Sequence, residues 1–314
     1  MLGHVRESEL KASLKDIHDA WENNKESEGS NMVKVDMTQW LGTLVLNIVV
    51  RVILGKRFPT NDEEGIHFQN VIRKTFELLG AFVASDYIPY MDRFNLGGYE
   101  KEMMLVWKEM DNIMDGLLQE HKREIESGQH FSIQSLLGSV QEEIDEHVGR
   151  DRPVAESDMK NLFYLEAVIK ETLRLYPAGP LAVPHKSMED CVMSGYNVPK
   201  GTRLLINLWK LQHDQNIWPD PDEFKTERFM TTDKHINVKG KHYELLPFGS
   251  GQRMCPGVFF ALQALRLTLA TLIQQFELVK PTDEQIDITK SSGLTTSKAM
   301  PLEVLLSPRS SLNT

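Results

Sequence analysis

The sequence Phe248-Gly-Ser-Gly-Gln-Arg-Met-Cys255-Pro-Gly257 is the strongest indication of the fold. It leads directly into the most apolar helical segment, residues 256–276. Gly249 and Gly251 permit backbone dihedral angles that other residues avoid, and they let the backbone approach a flat partner closely. Cys255 lies where the N–H groups of a helix begin, and their partial positive charge favours a thiolate. The pattern F-x-x-G-x-R-x-C-x-G therefore points to a cysteine that binds a metal.

A haem iron is the metal that this pattern fits best. A thiolate ligand pushes electron density onto haem iron and favours cleavage of an O–O bond, and backbone N–H groups directed at the sulfur moderate that donation. Arg253 is a natural partner for a haem propionate. The alternative is that Cys255 is a small buried apolar residue, the commoner role of a single cysteine. The many fixed positions around Cys255 favour the haem ligand.

A second group of charges lies further towards the amino terminus. Glu171 and Arg174 are three residues apart in K-E-T-L-R, so they meet on one face of a helix. Arg228, in F-K-T-E-R-F, offers a third charge. Such pairs are usually solvated and contribute under about 1 kcal/mol. The apolar surroundings leave a second possibility open, a buried network that holds the Cys255 loop in place.

Composition narrows the class of protein. The chain has 314 residues, 41% of them hydrophobic, so it can bury a sizeable core, and its net charge of −10 argues against a nucleic-acid partner. Its two cysteines are too few for a disulfide framework. The apolar stretch at residues 40–50 is shorter than the about 20 residues that span a bilayer, so we expect a buried helix there and no transmembrane segment.

Apolar periodicity predicts a mainly helical chain. Helices are expected over residues 8–24, 40–54, 67–84, 99–127, 158–176 and 256–276. Residues 191–208 have the pattern of β-structure with a Pro-Lys-Gly turn, and the tail S-S-G-L-T-T-S-K-A-M-P-L-E-V-L-L resembles a hairpin. No long core helix is expected over residues 130–150, which are apolar only briefly before turning acidic.

These motifs resemble those of plant cytochrome P450s, the microsomal haem-thiolate monooxygenases of specialised metabolism. The resemblance covers essentially all of residues 1–314 as one domain, and it includes T-E-R-F at residues 226–229 and the segment K-E-T-L-R-L-Y-P-A-G-P-L-A-V-P-H-K-S-M-E-D-C. It implies a mainly α fold with small β-sheets, haem b as cofactor and Cys255 as the proximal iron ligand. It also implies cofactor-binding roles for Arg253, His185, Phe248, Gly249 and Gly257, a structural network of Glu171, Arg174 and Arg228, and substrate-lining segments at residues 177–183 and 291–297.

The sequence also departs from the family pattern. We expect that the family's amino-terminal part, with its membrane anchor and first strands, is missing. The central helix that carries A/G-G-x-D/E-T-T, whose acid and threonine relay protons on the distal side of the haem, is not found in residues 129–160. The P450 fold is therefore expected to be incomplete, and no distal catalytic residue is identified. Thr226 replaces the usual proline of P-E-R-F, and His213-Asp-Gln stands where R-D-P is common.

Two functions follow from this resemblance. The first is a monooxygenase that inserts one oxygen atom of O₂ into a small apolar plant metabolite, with electrons from an NADPH-cytochrome reductase. The second is an inactive haem-binding or structural remnant, which the missing distal wall and proton relay favour for the chain as written. Loss of a core helix predicts exposed apolar faces and weakened docking of the reductase. The family implies the cytosolic face of the endoplasmic reticulum, whereas a chain without the anchor is expected to be soluble.

Overall fold

The computed structural model describes residues 3–28, 30–54, 133–282, 286, 287, 289, 295 and 298–309. The helices expected over residues 67–84 and 99–127 lie outside them. The described helices are α1 (Gly3–Glu28), α2 (Met37–Leu54), α3 (Ile133–His147), α4 (Phe163–Leu175), α5 (Leu208–Gln212), α6 (Glu227–Met230) and α7 (Val258–Gln275). The strands are β1 (Val33–Asp36), β2 (His185–Lys186), β3 (Cys191–Met193), β4 (Tyr196–Val198), β5 (Arg203–Leu204), β6 (Phe276–Val279) and β7 (Glu303–Pro308). The expected mainly α fold with small sheets is confirmed.

Helix α3 corrects the expectation that residues 130–150 hold no long core helix. Its apolar residues recur every three or four positions, and Val140 and Ile144 are buried in the core. The acidic residues of the segment occupy the other faces. Glu143 is one of them, and its carboxylate accepts hydrogen bonds from the amides of Tyr164 and Leu165 at 2.6 and 3.0 Å. The acidic residue thus caps the start of α4.

Helix α4 ends as the sequence predicts but begins later. Its last residue is Leu175, two residues before Pro177. The expected start at Asp158 is wrong, because residues Glu156–Asn161 form a separate 3₁₀ turn. The side chain of Asp158 turns back to accept the Ala155 amide at 2.9 Å, which closes this turn and separates it from the helix.

Strand pairing joins distant parts of the chain. Strand β7 lies between β1 and β6 in an antiparallel sheet, with Val33 opposite Leu306 and Val279 opposite Leu305. The expected tail hairpin is therefore wrong for residues 303–308, although the Ala299 amide does bond to the Thr289 carbonyl. The expected β-structure over residues 191–208 is present in part: β3 and β4 form a hairpin, and β5, which follows the Pro-Lys-Gly segment, pairs with β2.

Two apolar clusters organise the core. The first joins α1, α2, α3, α4, α7 and the three-stranded sheet through buried side chains such as Leu14, Leu44, Ile144, Leu267 and Leu306. The second is built from Ala167, Trp218, Phe229, Ile236, Val238, Leu245, Val258 and Leu262. Helix α7 contributes its first turns to the second cluster and its later turns to the first. This places the start of α7, and the loop before it, on the second cluster.

Helix α7 is the one described helix that is long and apolar enough to cross a membrane by length and composition. Half of its residues are buried inside the protein. Because its apolar side chains belong to the two core clusters, packing within the protein accounts for its composition.

The 3₁₀ turn gives a pH-dependent prediction. Hydrogen bonds from Arg152 at 2.7 and 2.8 Å hold the pKa of Asp158 below its usual 3.8. Stability from this carboxylate is therefore present at neutral pH and lost as pH falls through the lowered folded-state pKa. We expect Asp158→Asn to cost about 1 kcal/mol at neutral pH, since Arg152 is half exposed and solvent screens the pair.

Urea unfolding of both proteins at neutral pH and below pH 3.8 checks this prediction. The difference between wild type and variant should shrink at the lower pH. A difference that stays constant across this range would show that the charge of Asp158 makes no contribution.

Candidate functional site

The Cys255 hairpin, defined here as residues 248–255, is closed by a hydrogen bond from the Cys255 amide to the Phe248 carbonyl at 2.9 Å. Gly249 and Gly251 have φ angles of 73° and 68°, in the left-handed region. A side chain at either position would strain the backbone, which explains both glycines. A short 3₁₀ turn, Gly251–Arg253, returns the chain to Cys255. The hairpin thus delivers the cysteine three residues before α7.

Cys255 has a free, exposed thiol. Gly257 lies beside it, because a Cβ atom at that glycine would be 3.8 Å from the cysteine Sγ. The Gly257 carbonyl accepts the Ala261 amide at 2.9 Å and begins the hydrogen bonding of α7. The amides of this first turn create a positive potential that favours negative charge on a nearby sulfur. An accessible thiol at a helix start has the chemistry of a metal ligand.

The surface around this thiol fits a flat cofactor. Apart from the chain neighbours of each glycine, no heavy atom of the described residues lies within 4 Å of the Cβ position at Gly249 or Gly251, so this face of the hairpin is open to them. Phe248 and Met254 pack against the second core cluster and support the hairpin from inside. Phe259, in the first turn of α7, is 61% exposed. A soft sulfur donor, an open glycine face and exposed apolar surface together suit a haem.

Arg253 and His185 come from different parts of the chain. Arg253 ends the 3₁₀ turn of the hairpin and is exposed, whereas His185 is half-buried in β2, opposite Leu204 of β5. Neither side chain has a hydrogen bond or ion pair with another described residue. Both are therefore free to bind an anionic group.

The predicted charge network is present, and it is formed by Glu171, Arg174 and Arg228. Of the two positions left open by the sequence, surface or core, the structure shows the core. Glu171 and Arg174 are fully buried, and Arg228 is 6% exposed. Arg174 binds the carboxylate through two nitrogens at 2.8 and 2.9 Å, and Arg228 Nε lies 3.4 Å from Glu171 Oε1. The Lys225 amide donates to the same Oε1 at 2.9 Å. The three charges form a buried network.

The two arginines also bind backbone carbonyls of the loop between α5 and α6. Arg174 Nη1 donates to the carbonyls of Gln212 and Pro221 at 2.8 and 2.7 Å. Arg228 donates to the carbonyls of Pro219 and Asp220. All three guanidinium nitrogens of each arginine thus donate hydrogen bonds. These bonds hold the loop against α4, because a buried donor needs an acceptor.

Trp218 is a member of this network that the sequence analysis missed. It is fully buried, and the Arg174 guanidinium carbon lies 5.6 Å from its ring centroid. Phe229 packs on the ring at a centroid distance of 5.9 Å. The sequence did offer one indication of this role, since Trp218 begins W-P-D-P-D-E-F, a loop rich in proline and acidic residues. A cation–π contact of this kind stabilises a buried arginine.

Three buried polar atoms near the network have no partner among the described residues. They are Gln212 Oε1, Trp218 Nε1 and Thr226 Oγ1. Thr226 is the residue that replaces the usual proline of P-E-R-F, and it is fully buried. An unsatisfied buried hydroxyl costs about 1–3 kcal/mol, so we expect this replacement to lower the stability of the loop.

The expected substrate-lining segments are only partly described. Residues 177–183 follow α4 and form a turn in which the Ala182 amide bonds to the Gly179 carbonyl at 3.0 Å. Ala182 has a φ angle of 54°, a strained value for a residue with a side chain. Residues 291–297, apart from Thr295, lie outside the described part of the chain.

Three apolar side chains near the ends of β2, β5 and α7 are exposed in the described part of the chain, whereas exposed helix faces left by a missing core helix stay a prediction. Val183, Leu205 and Phe259 are 68%, 54% and 61% exposed. They lie next to β2, next to β5 and at the start of α7, respectively. Each of these side chains offers apolar area to a ligand that covers it.

Comparison with known proteins supplies the class of protein. The family model described as Cytochrome P450 matches residues 7–138 and 134–304. The chain is similar to a strychnine-10-hydroxylase from Strychnos nux-vomica, with 41% identity over 100% of this chain and 70% of that protein. It is also similar to a flavonoid-6-hydroxylase from Ocimum basilicum, with 40% identity over 98% of this chain and 68% of the relative.

The fold, the cysteine hairpin and these similarities define a haem-thiolate protein of the plant monooxygenase type. The chain belongs to the cytochrome P450 family. Members of this family bind haem b, act as monooxygenases and generally receive electrons from a partner reductase. The two matched segments overlap at residues 134–138, within α3, and the motif A/G-G-x-D/E-T-T is not found in the surrounding residues 129–160.

The alignment with the Strychnos relative is longer than this chain. It extends over 372 positions, more than the 314 residues of this chain, although it covers the whole chain. The relative therefore has residues within the matched span that have no counterpart here.

The buried network gives the second prediction. Glu171→Gln removes the only charge that neutralises two buried arginines among the described residues, so we expect the free energy of unfolding to fall by about 3–5 kcal/mol. Glu166→Gln on the same helix is the matched control. Glu166 binds Arg266 at 2.6 and 2.7 Å, but both side chains are partly exposed, so its loss should cost about 1 kcal/mol. Urea unfolding measures both, and equal costs would contradict the role given to the buried charge.

Thr226 gives the third prediction. Its φ angle of −60° is close to the about −65° that proline imposes. Thr226→Pro should raise the free energy of unfolding by about 1 kcal/mol, because it removes the unpartnered hydroxyl and reduces the freedom of the unfolded chain. Thr226→Val separates the two effects, since it removes only the hydroxyl. A Thr226→Val protein less stable than wild type would show that the hydroxyl is satisfied, and a Thr226→Pro protein less stable than wild type would contradict the prediction.

Proposed function

We propose that this chain is a haem-thiolate monooxygenase that hydroxylates a plant specialised metabolite, with Cys255 as the proximal ligand of haem b. The observation that carries the proposal is the position of an accessible thiol, delivered by a hairpin with two left-handed glycines to the start of α7. Family membership supplies the reaction class, and the hairpin supplies the ligand.

The residues around Cys255 would share the work of holding the cofactor. Phe248 supports the hairpin from the core side, and Gly249 and Gly257 leave room for a flat ring near the sulfur. Arg253 and His185 would bind the propionates, because both are unpaired among the described residues and Arg253 carries a permanent positive charge. The buried Glu171 network would keep the supporting loop rigid.

A thiolate-ligated haem supplies the redox chemistry that activates O₂ for insertion of one oxygen atom into a C–H bond. The protein's own contribution is positional. Cys255 would reach the iron from the start of α7, and the packed hairpin would hold its sulfur in one position. Apolar residues such as Val183 and Leu205 would hold an apolar substrate by burial of its surface.

A partner reductase fits the charge distribution near the hairpin. The chain carries a net charge of −10, yet Lys234, Lys239, Lys241 and Arg253 are all exposed within a short segment that ends at Cys255. A local basic surface would attract an acidic electron donor. We propose docking of an NADPH-cytochrome reductase here, weakened by the departures from the family pattern, at the cytosolic face of the endoplasmic reticulum.

The relatives suggest the kind of substrate. Their names give strychnine and a flavonoid as the molecules that are hydroxylated. A ring-containing plant metabolite is therefore the proposed substrate class. The second candidate, a haem-binding remnant without turnover, rests on the absence of A/G-G-x-D/E-T-T from residues 129–160 and on the family match in two segments that overlap at residues 134–138.

The test begins with the chain expressed with a haem supply, reduced and exposed to carbon monoxide. Wild type should show the red-shifted Soret band of thiolate ligation, and Cys255→Ala should lose it because no sulfur remains to bind the iron. Cys191→Ala is the matched control, since Cys191 is the other free, exposed cysteine, and it should keep the band. Soluble wild-type protein without the band would refute haem-thiolate ligation.

Turnover then separates the two candidates. The haem-loaded chain is mixed with a plant NADPH-cytochrome reductase, NADPH and a panel of alkaloids and flavonoids. Hydroxylated product that requires the reductase and Cys255 supports the monooxygenase. NADPH consumption that yields only peroxide, with no product across the panel, would establish the remnant instead.

A further inference from the structure

Gly240 makes the closest approach of any described glycine to a neighbouring segment. A Cβ atom there would lie 2.7 Å from Met254 Sδ, 2.9 Å from the Gly249 carbonyl oxygen and 3.1 Å from Ser250 Cα. Its φ angle is +72°, in the left-handed region. Both the backbone conformation and the lack of space require glycine at this position.

The three contacted residues lie on both arms of the Cys255 hairpin. Gly249 and Ser250 belong to the outgoing arm, and Met254 is the residue directly before Cys255. The hydrogen bond between the Cys255 amide and the Phe248 carbonyl joins these arms at 2.9 Å. Gly240 therefore lies against the hairpin as a whole rather than against one side chain.

Neither side of this contact can easily give way. On the Gly240 side, Ile236 and Val238 are 4% and 3% exposed and belong to the second core cluster. On the hairpin side, Phe248 and Met254 pack against the same cluster. Close-packed interiors transmit displacement rather than absorb it, so added volume at the contact would move the hairpin.

The contact with Gly249 is the decisive one. The thioether of Met254 ends a flexible side chain and can change rotamer. The Gly249 carbonyl is part of the backbone, and the Gly249 amide is itself fixed to the Leu246 carbonyl at 3.0 Å. Relief of a contact at 2.9 Å therefore requires a shift of the hairpin backbone.

We propose that Gly240 is a positioning residue that sets the depth of the Cys255 hairpin and thereby the placement of the Cys255 thiolate against the iron. This inference rests on the proposed role of Cys255 as haem ligand. Gly240 does not touch the cofactor in this scheme. It acts through Met254 and Gly249, because a displacement of these residues would also displace Cys255. The geometry of a metal ligand depends on such supporting contacts.

The experiment compares Gly240→Ala with Gly195→Ala in the haem-loaded full chain. Gly195 has a φ angle of +84° in the β3–β4 turn, and among the described residues beyond its chain neighbours no heavy atom lies within 4 Å of its Cβ position. Both variants carry the dihedral strain, but only Gly240→Ala presses on the hairpin. The readouts are the carbon monoxide difference spectrum, haem content per chain and far-ultraviolet circular dichroism.

Gly240→Ala should retain its helical content and lose most of the thiolate band in favour of the blue-shifted form. Gly195→Ala should match wild type. A wild-type band in Gly240→Ala, or equal loss in both variants, overturns the inference. Should Gly240→Ala give no soluble protein, Met254→Phe tests the same contact from the other side and should also lose the band; a wild-type band there overturns the inference equally. Absence of the band from wild type would instead refute the role of Cys255.

Discussion

The buried carboxylate of Glu171 is the constraint on which the rest of the site depends. It neutralises Arg174 and Arg228 and also accepts the Lys225 amide, and all three charged side chains of the network are buried. The remaining nitrogens of each arginine donate hydrogen bonds to backbone carbonyls before α6. A buried ion network is costly to assemble and more costly to break, because any single loss leaves an uncompensated charge. Its value here is geometric, since it fixes a proline-rich loop that has no regular structure of its own.

That fixed loop supports the cysteine. Trp218 lies over Arg174 and contributes to the second core cluster, together with Phe229, Ile236 and Val238. The Cys255 hairpin rests on this cluster through Phe248 and Met254. A continuous chain of contacts therefore leads from a buried charge on α4 to a thiol at the start of α7. Such layered support is what keeps a metal ligand in one position, because a flexible loop alone would not.

Much of this could be predicted from local sequence. The glycines around Cys255, the stop of α4 before Pro177 and the β3–β4 hairpin follow from residue-level preferences that act over a few positions. The long helix over residues 133–147 was missed, although its apolar residues have helical spacing, because the acidic stretch was read as a break. The start of α4 was also misplaced, since the backbone bond made by the Asp158 side chain competes with helix formation.

The sequence by itself determined the chemistry: a cysteine with its glycine and arginine neighbours, a Glu-x-x-Arg pair and a third arginine, in the order that the cytochrome P450 family uses. Tertiary structure decided whether those charges were solvated or buried, and which strand lies beside β1. It also decided that Gly240 lies so close to the cysteine hairpin that an added Cβ atom would have no room. Charge burial, strand pairing and close backbone contact all join residues far apart in the chain. Their energies depend on what else occupies the same space, and a local pattern of residue types does not contain that information.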